Sequence, residues 1–477
     1  MDPSHSEPKV LASYVDDLWE DSVVGTLASY VAIRCLSPDF DPAWALNGEI
    51  GRAARLLSEW AASRPVPGCA VEIVEHEGLT PAIIADVPAS PGAATQLTTL
   101  LYGHLDKQPP LGSWREGLDP FVAVREGERL YGRGTADDGY SIFAAIGALE
   151  ALSATGRPHG RCVVLIEASE ESGSAHLGPY LAEVEARIGA PGPGLVVCLD
   201  SGCATYDRLW NTTSLRGLLV ATVTVEVLSE GVHSGLAGGV VPDSFRLLRQ
   251  LLSRIEDEKT GDMLVPECLA EPPTRYRTAA ETMVAELGEA VLNEFPTVTS
   301  LELSGRTAVD RLLRRTWMPS LAVTGIDGLP SVHDGGNVLR PFTTLKIALR
   351  LPPSVDPDRA GEAVARALSA DPPQGATVKT VVVSASPGFD APAQPEWLVR
   401  AVDEASQALF GREAGAMSEG GTIPFMAALA SRFPAAHFLV TGVLGPDSNA
   451  HGPNEMLDLV TARRLTAAVA HVLASAP

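Results

Sequence analysis

Residues 95–106 read TQLTTLLYGHLD, an apolar run through Leu97, Leu100 and Leu101 that ends on His104 and Asp106. A short apolar run with a charged end is how a buried strand opens into a working loop. Two further stretches have the same form: RCVVLIEASEE (161–171) and GLVVCLDSG (194–202). Between the first and second, SIFAAIGALEAL (141–152) sets Ile142, Ile146, Leu149 and Leu152 at helical spacing, with a stop at Gly156. Strands alternating with helices predict an α/β layer with a mostly parallel sheet. Such sheets place their sites beyond the carboxyl ends of the strands. His104, Glu170, Glu171 and Asp200 all fall there.

The rhythm changes near residue 213. LLVATVTVEV (218–227), PSLAVTGIDG (319–328), TTLKIALRLPP (343–353) and ATVKTVVVSAS (376–386) read as strands. VVPDSFRLLRQLLSRIEDEK (240–259) and PDRAGEAVARALSA (357–370) read as amphipathic helices. The order β-α-β-β-α-β is the ferredoxin-like α+β arrangement, here interrupted by a helical excursion near 258–316. After about residue 388 the first theme resumes with a helix (EWLVRAVDEASQALFG), the loop SEGGTIP (418–424) and a strand (HFLVTGVLG). A chain of 477 residues exceeds one ordinary core. The expected organisation is a discontinuous catalytic domain, 1–212 and 388–477, with an inserted domain over 213–387.

A hydrophobic share of 45% and a charged share of 20% describe a globular chain. No apolar stretch approaches the roughly 18–20 residues that cross a bilayer, so no membrane span is expected. Residues 1–22 lack the pattern of a secretory leader, which points to the cytoplasm. The net charge is −23 with no basic tract, which argues against nucleic acid or an anionic membrane as partner. The six cysteines (Cys35, Cys69, Cys162, Cys198, Cys203, Cys268) lack paired zinc-finger spacing and are expected reduced and mostly buried.

Taken alone, His104 reads as a hydrogen-bonded strand end, and Glu170 with Glu171 as a solvated turn. The combination says more. GRGTADDG (132–139) carries Asp137 and Asp138 in a Gly-rich loop opening a helix, CLDSG carries Asp200, and NAHGPNE (449–455) carries His451. Imidazoles and carboxylates at the ends of several elements suit two zinc ions, which accept both nitrogen and oxygen ligands. Two cations about 3.5–4 Å apart can share a hydroxide nucleophile and polarise a carbonyl. A loop residue such as Asp137 can bridge them, Asp106 can fix the tautomer of His104, and Glu170 and Glu171 can divide ligation and proton transfer.

These segments resemble the carnosinase-like dipeptidases within the aminoacylase and carboxypeptidase G type di-zinc hydrolases. The resemblance rests on YGHLDKQPP, Trp114, DPF (119–121), LYGRGTADDG, EESGS, LRG, HSG, EGGTIP and NAHGPNE, in family order over nearly the whole chain. It implies a dinuclear metallopeptidase or amidohydrolase that cleaves an amide in a dipeptide or N-acyl amino acid. His104 and Asp200 would hold one divalent metal ion and Glu171 and His451 another, with Asp137 bridging. Zinc is the first expectation, and manganese or cobalt the alternatives. Glu170 would be general base and then acid, and Asp106 would orient His104.

The inserted domain would be a lid and homodimerisation domain, with His233 reaching a partner subunit's site to stabilise the oxyanion. Arg350, Asn337 and the backbone of Gly420, Gly421 and Thr422 would contact substrate. Three places depart from the pattern: Gly139-Tyr140 stands for Lys-Gly, Ser418 for Arg, and Leu339-Arg340 interrupts Val-Ile-Pro. Tyr140 is therefore expected at the substrate too. The departures leave room for a specialised amidohydrolase acting on a biosynthetic intermediate. A binding protein without chemistry is the remaining alternative.

Overall fold

Strand Thr99–His104 is buried along its whole length in the computed structural model of the protein, which describes residues 3–288, 292 and 297–477. The chain divides into two units: 1–212 with 391–417 and 428–477, and 213–390 with 418–427.

In the first unit, Thr99–His104 lies between Cys162–Glu167 and Leu195–Cys198, parallel to both, and Leu195–Cys198 pairs in parallel with His437–Val440. Ala70–Val74 and Ala82–Val87 extend the six-stranded sheet by antiparallel pairing, the latter against Cys162–Glu167. The sheet is therefore mixed, with its central pairings parallel as expected and an antiparallel extension at one edge. Residues 75–81 are too few for a parallel crossover, which needs roughly a dozen, so the first two strands form a hairpin.

Helix Ser141–Ala154 is buried from Ser141 through Leu152. Its Ala, Ile and Leu residues need no polar face, because helices Pro3–Leu18 and Leu459–Ser475 pack over it. The one charge on that stretch, Glu150, accepts hydrogen bonds from Arg64 Nε (2.7 Å) and the Tyr14 hydroxyl (2.8 Å). A buried carboxylate needs such partners. All six cysteines are free, and five are buried.

The second unit runs strand Gly217–Glu226, helix Ser244–Leu252, strands Ser320–Asp327 and Phe342–Leu351, helix Pro357–Ser369 and strand Thr377–Ser386. Its four-stranded sheet is antiparallel throughout, in the spatial order second, third, first, fourth. Alternate residues Leu219, Ala221, Val223 and Val225 share a core with Leu247, Leu251, Val364 and Leu368 of the helices. That alternation sets the register, since a one-residue slip would expose every one of them.

The helix expected over 240–259 is shorter, because Asp243 caps it by accepting from Arg246 N, and it ends at Leu252. The excursion near 258–316 contains helices Thr274–Leu287 and Ala308–Thr316, while 289–291 and 293–296 of it lie outside the described residues. The SEGGTIP loop, expected with the first unit, groups with the second. Arg216 Nε donates to the Gly420 carbonyl (3.1 Å), and the Thr422 hydroxyl donates to the Arg216 carbonyl (2.6 Å). No helix among the described residues is long and apolar enough to cross a membrane.

Candidate metal centre

His104 is the last residue of its strand, and its surroundings fix the ring. Its backbone N–H donates to Asp138 Oδ2 (3.0 Å), and Nδ1 pairs with the Asp106 carbonyl (3.0 Å). Nε2 then faces Asp137 Oδ1 at 3.3 Å and Asp200 Oδ2 at 3.8 Å. His451 Nε2 stands 3.0 Å from Asp137 Oδ2 and 3.2 Å from Glu171 Oε2. The two oxygens of Asp137 thus address two different imidazoles. Donor atoms of His104, Asp137 and Glu171 lie within 4.8 Å of one another, as do those of His104, Glu170 and Asp200. The five expected ligands and Glu170 are brought together from five separate segments.

Asp106 has a second task beside its contact with His104. Its carboxylate accepts from the backbone N–H groups of Glu170 (3.2 Å) and Glu171 (3.1 Å), holding the turn Glu170–Ser172. The contact to His104 Nδ1 falls to its main-chain carbonyl, with Oδ1 at 3.5 Å. One residue thereby links the imidazole to the glutamate turn. Gln108, which sequence reasoning passed over, donates to Glu171 Oε2 (2.8 Å).

The electrostatics are those of carboxylates crowded away from water. Burial pushes Glu170 and Asp138 well above the usual carboxylate range, and the nearby Asp200 adds to it. Burial and Asp137 push Glu171 the same way. Asp137 goes far down: burial opposes its charge, but His104 and His451 outweigh burial. Burial disfavours the His451 imidazolium, yet Asp137 and Glu171 raise that ring to about 11. Glu171 Oε1 is buried without a hydrogen-bond partner. Mixed nitrogen and oxygen donors, surplus negative charge and an orphaned carboxylate oxygen fit divalent cations.

Tyr140 corrects a sequence expectation. It is fully buried, and its hydroxyl donates to the Leu199 carbonyl, so the ring belongs to the core and has no face for substrate. Gly139 also finds its reason, since a Cβ there would run into the Tyr30 ring. A buried cation of this neighbourhood is Lys107, in the YGHLDKQPP motif, whose ammonium lies 4.0 Å from the centre of that ring. It donates to the carbonyls of Tyr30 (3.0 Å), Val31 (3.2 Å) and Ile33 (3.0 Å), completing the end of helix Val24–Val31. Burial lowers its pKa to about 8.

In the second unit, Arg350 Nη1 donates to Thr422 Oγ1 (2.6 Å). Gly420 is tightly enclosed, because a Cβ would meet the Arg315 carbonyl, whereas Gly421 has open space around it. Arg216 supports this group, donating to the carbonyls of Gly420 (3.1 Å) and Met318 (3.0 Å). His233 Nδ1 accepts from Gly235 N (3.1 Å) and caps the short helix Ser234–Ala237. The carbonyl of exposed Asn337 accepts from Ser234 N (2.9 Å), so His233 and Asn337 are neighbours.

Comparison with known proteins follows the same lines. The sequence model of "Peptidase family M20/M25/M40" matches residues 100–475. A cysteinylglycine-S-conjugate dipeptidase of Corynebacterium striatum is 26% identical over 369 residues, covering 76% of this chain and 77% of the relative. The human beta-Ala-His dipeptidase is 25% identical over 424 residues, covering 86% and 81%. The solved structure of the dipeptidase Dug1p from Saccharomyces cerevisiae superposes with a TM-score of 0.77 at 23% identity, covering 99% of this chain and 98% of that one, and shows the shared fold.

Proposed function

The chain belongs to peptidase family M20/M25/M40 and is a metal-dependent hydrolase of dipeptides, and we propose that its chemistry runs at the His104–Asp137–His451 cluster. His104 and Asp200 would hold one divalent cation and Glu171 and His451 a second, with Asp137 serving both. Zinc is the first choice, with manganese or cobalt as alternatives. The observation that carries this reading is the placement of Asp137, with one oxygen 3.3 Å from His104 and the other 3.0 Å from His451. The chemistry that bound cations would supply there is Lewis acidity, toward a water molecule and the scissile carbonyl.

The chain's own residues do the rest. Glu170, half-buried beside Asp200 and Glu171, has a raised proton affinity suited to taking a proton from the attacking water. As the water oxygen bonds to the carbonyl carbon and the C–N bond breaks, Glu170 passes that proton to the leaving nitrogen. Asp106 keeps Glu170 and Glu171 in place through their backbone N–H groups. Arg350 and Thr422 recognise the substrate's free carboxylate, a planar anion suited to a guanidinium. Because Tyr140 is a core residue, one motive for a narrower biosynthetic substrate falls away.

The test is turnover of the metal-loaded protein on a panel of dipeptides and N-acyl amino acids, with and without chelator. Chelator-resistant hydrolysis overturns the proposal. We propose further that the inserted, ferredoxin-like unit is a lid and dimerisation unit, with His233 of one subunit serving the oxyanion in the other. Sedimentation showing a monomer at assay concentration refutes that part.

A further inference from the structure

Arg133 and Glu455 are almost completely buried, 1% and 0% exposed, and neither belongs to the ligand set. Arg133 Nη1 donates to Glu455 Oε2 at 2.6 Å. Two charges this deep persist only if further hydrogen bonds satisfy them. Those bonds run straight to the backbone of the metal centre. Glu455 accepts from the N–H groups of Gly134 (3.0 Å), Ala136 (3.1 Å) and Asp137 (3.2 Å). Arg133 Nη2 donates to the carbonyls of Gly452 (2.7 Å) and Pro109 (3.3 Å). Gly452 directly follows His451.

The loop bearing His451 needs such a hold. Asp447, Asn449, His451 and Asn454 have φ of 66°, 49°, 63° and 61°, the left-handed region that L-residues enter under restraint. His104 is supported differently: it ends a strand paired on both sides. Asp200 follows another strand of the same sheet by two residues.

We propose that Arg133 and Glu455 are a positioning pair that holds the His451 loop in its ligating conformation, so that shortening Arg133 weakens the cation held by Glu171 and His451 more than the other. The proposal rests on the two-cation reading above. Glu455 also holds the backbone N–H of Asp137, which serves both cations, whereas Arg133 Nη2 reaches the peptide after His451, so the selective perturbation is made at Arg133.

The test is calorimetric titration of the chelator-stripped full chain with zinc, repeated with cobalt(II) to follow its visible absorption. Wild type should take two ions. Arg133→Lys keeps the charge but lacks the fork that reaches Glu455, Gly452 and Pro109 together. It should bind one ion as wild type does and the other about 10–100-fold more weakly, the usual effect of losing an outer partner of a ligand. Its titration should resemble that of His451→Ala and not that of Asp200→Ala.

A purely structural role would lower the melting temperature of the metal-free protein and leave both affinities alone. Two ions bound with unchanged affinity by Arg133→Lys overturn the proposal. Fewer than two ions on wild type overturn the two-cation reading instead. Should Arg133→Lys fold poorly, Arg133→Gln carries the same test, since it too is unable to span Glu455, Gly452 and Pro109. Unchanged affinities in that folded variant overturn the proposal equally.

Discussion

Glu170→Gln removes the proton acceptor beside the metal ligands while keeping the side chain's volume. General acid–base groups contribute about 10²–10⁴-fold, so kcat should fall by that factor, or about 2.7–5.4 kcal/mol of barrier. Stability should move the other way, if at all. Burial, then Asp200, His104 and Glu171, set the Glu170 environment, and the net effect holds its carboxyl well above its ordinary value. A carboxyl with a raised folded-state pKa favours the fold when protonated and opposes it once pH rises past its unfolded value. A neutral amide at neutral pH removes that opposition, so the metal-free variant should melt no lower than wild type. The assay is steady-state hydrolysis of a dipeptide by protein of verified metal content, alongside thermal melting of the metal-free form. A kcat within about tenfold of wild type at equal metal content would refute Glu170 as the proton carrier.

Adding zinc to stripped protein should raise the melting temperature, because binding to the folded state alone contributes about 2.7 kcal/mol at a hundredfold excess over Kd; an unmoved transition contradicts the candidate centre. Arg350→Gln should lower kcat/KM about 10–150-fold for dipeptides with a free carboxylate, the equivalent of a charge-assisted hydrogen bond worth about 1.5–3 kcal/mol. The same variant should act on C-terminally amidated dipeptides as wild type does, and equal losses on both would remove Arg350 from carboxylate recognition. Tyr140→Phe should cost about 1 kcal/mol of stability through the hydrogen bond to Leu199 and leave KM unchanged. A raised KM would return Tyr140 to the substrate.

Much of this protein is written locally. Strands ending in His104, Glu167 and Cys198 are legible because a short apolar run with a polar end has few other uses, and the ligand-bearing loops follow those strands by covalent connection. The alternating strand Gly217–Glu226 and the amphipathic helix Pro357–Ser369 are legible for the same reason: burial on one face imposes a period that residues next to one another must obey. Period and connection say which face a side chain takes, but not what waits there.

That second matter belonged to the tertiary structure. Only packing decided that Asp137 offers one oxygen to each imidazole, and that the Asp106 carboxylate serves the glutamate backbone. Only packing placed Tyr140 in the core and put Lys107 over the Tyr30 ring. Arg133 and Glu455 meet across 322 positions of chain. A contact at that range is selected by the joint fit of many buried side chains and the need to satisfy every buried charge, conditions that no stretch of the sequence states by itself.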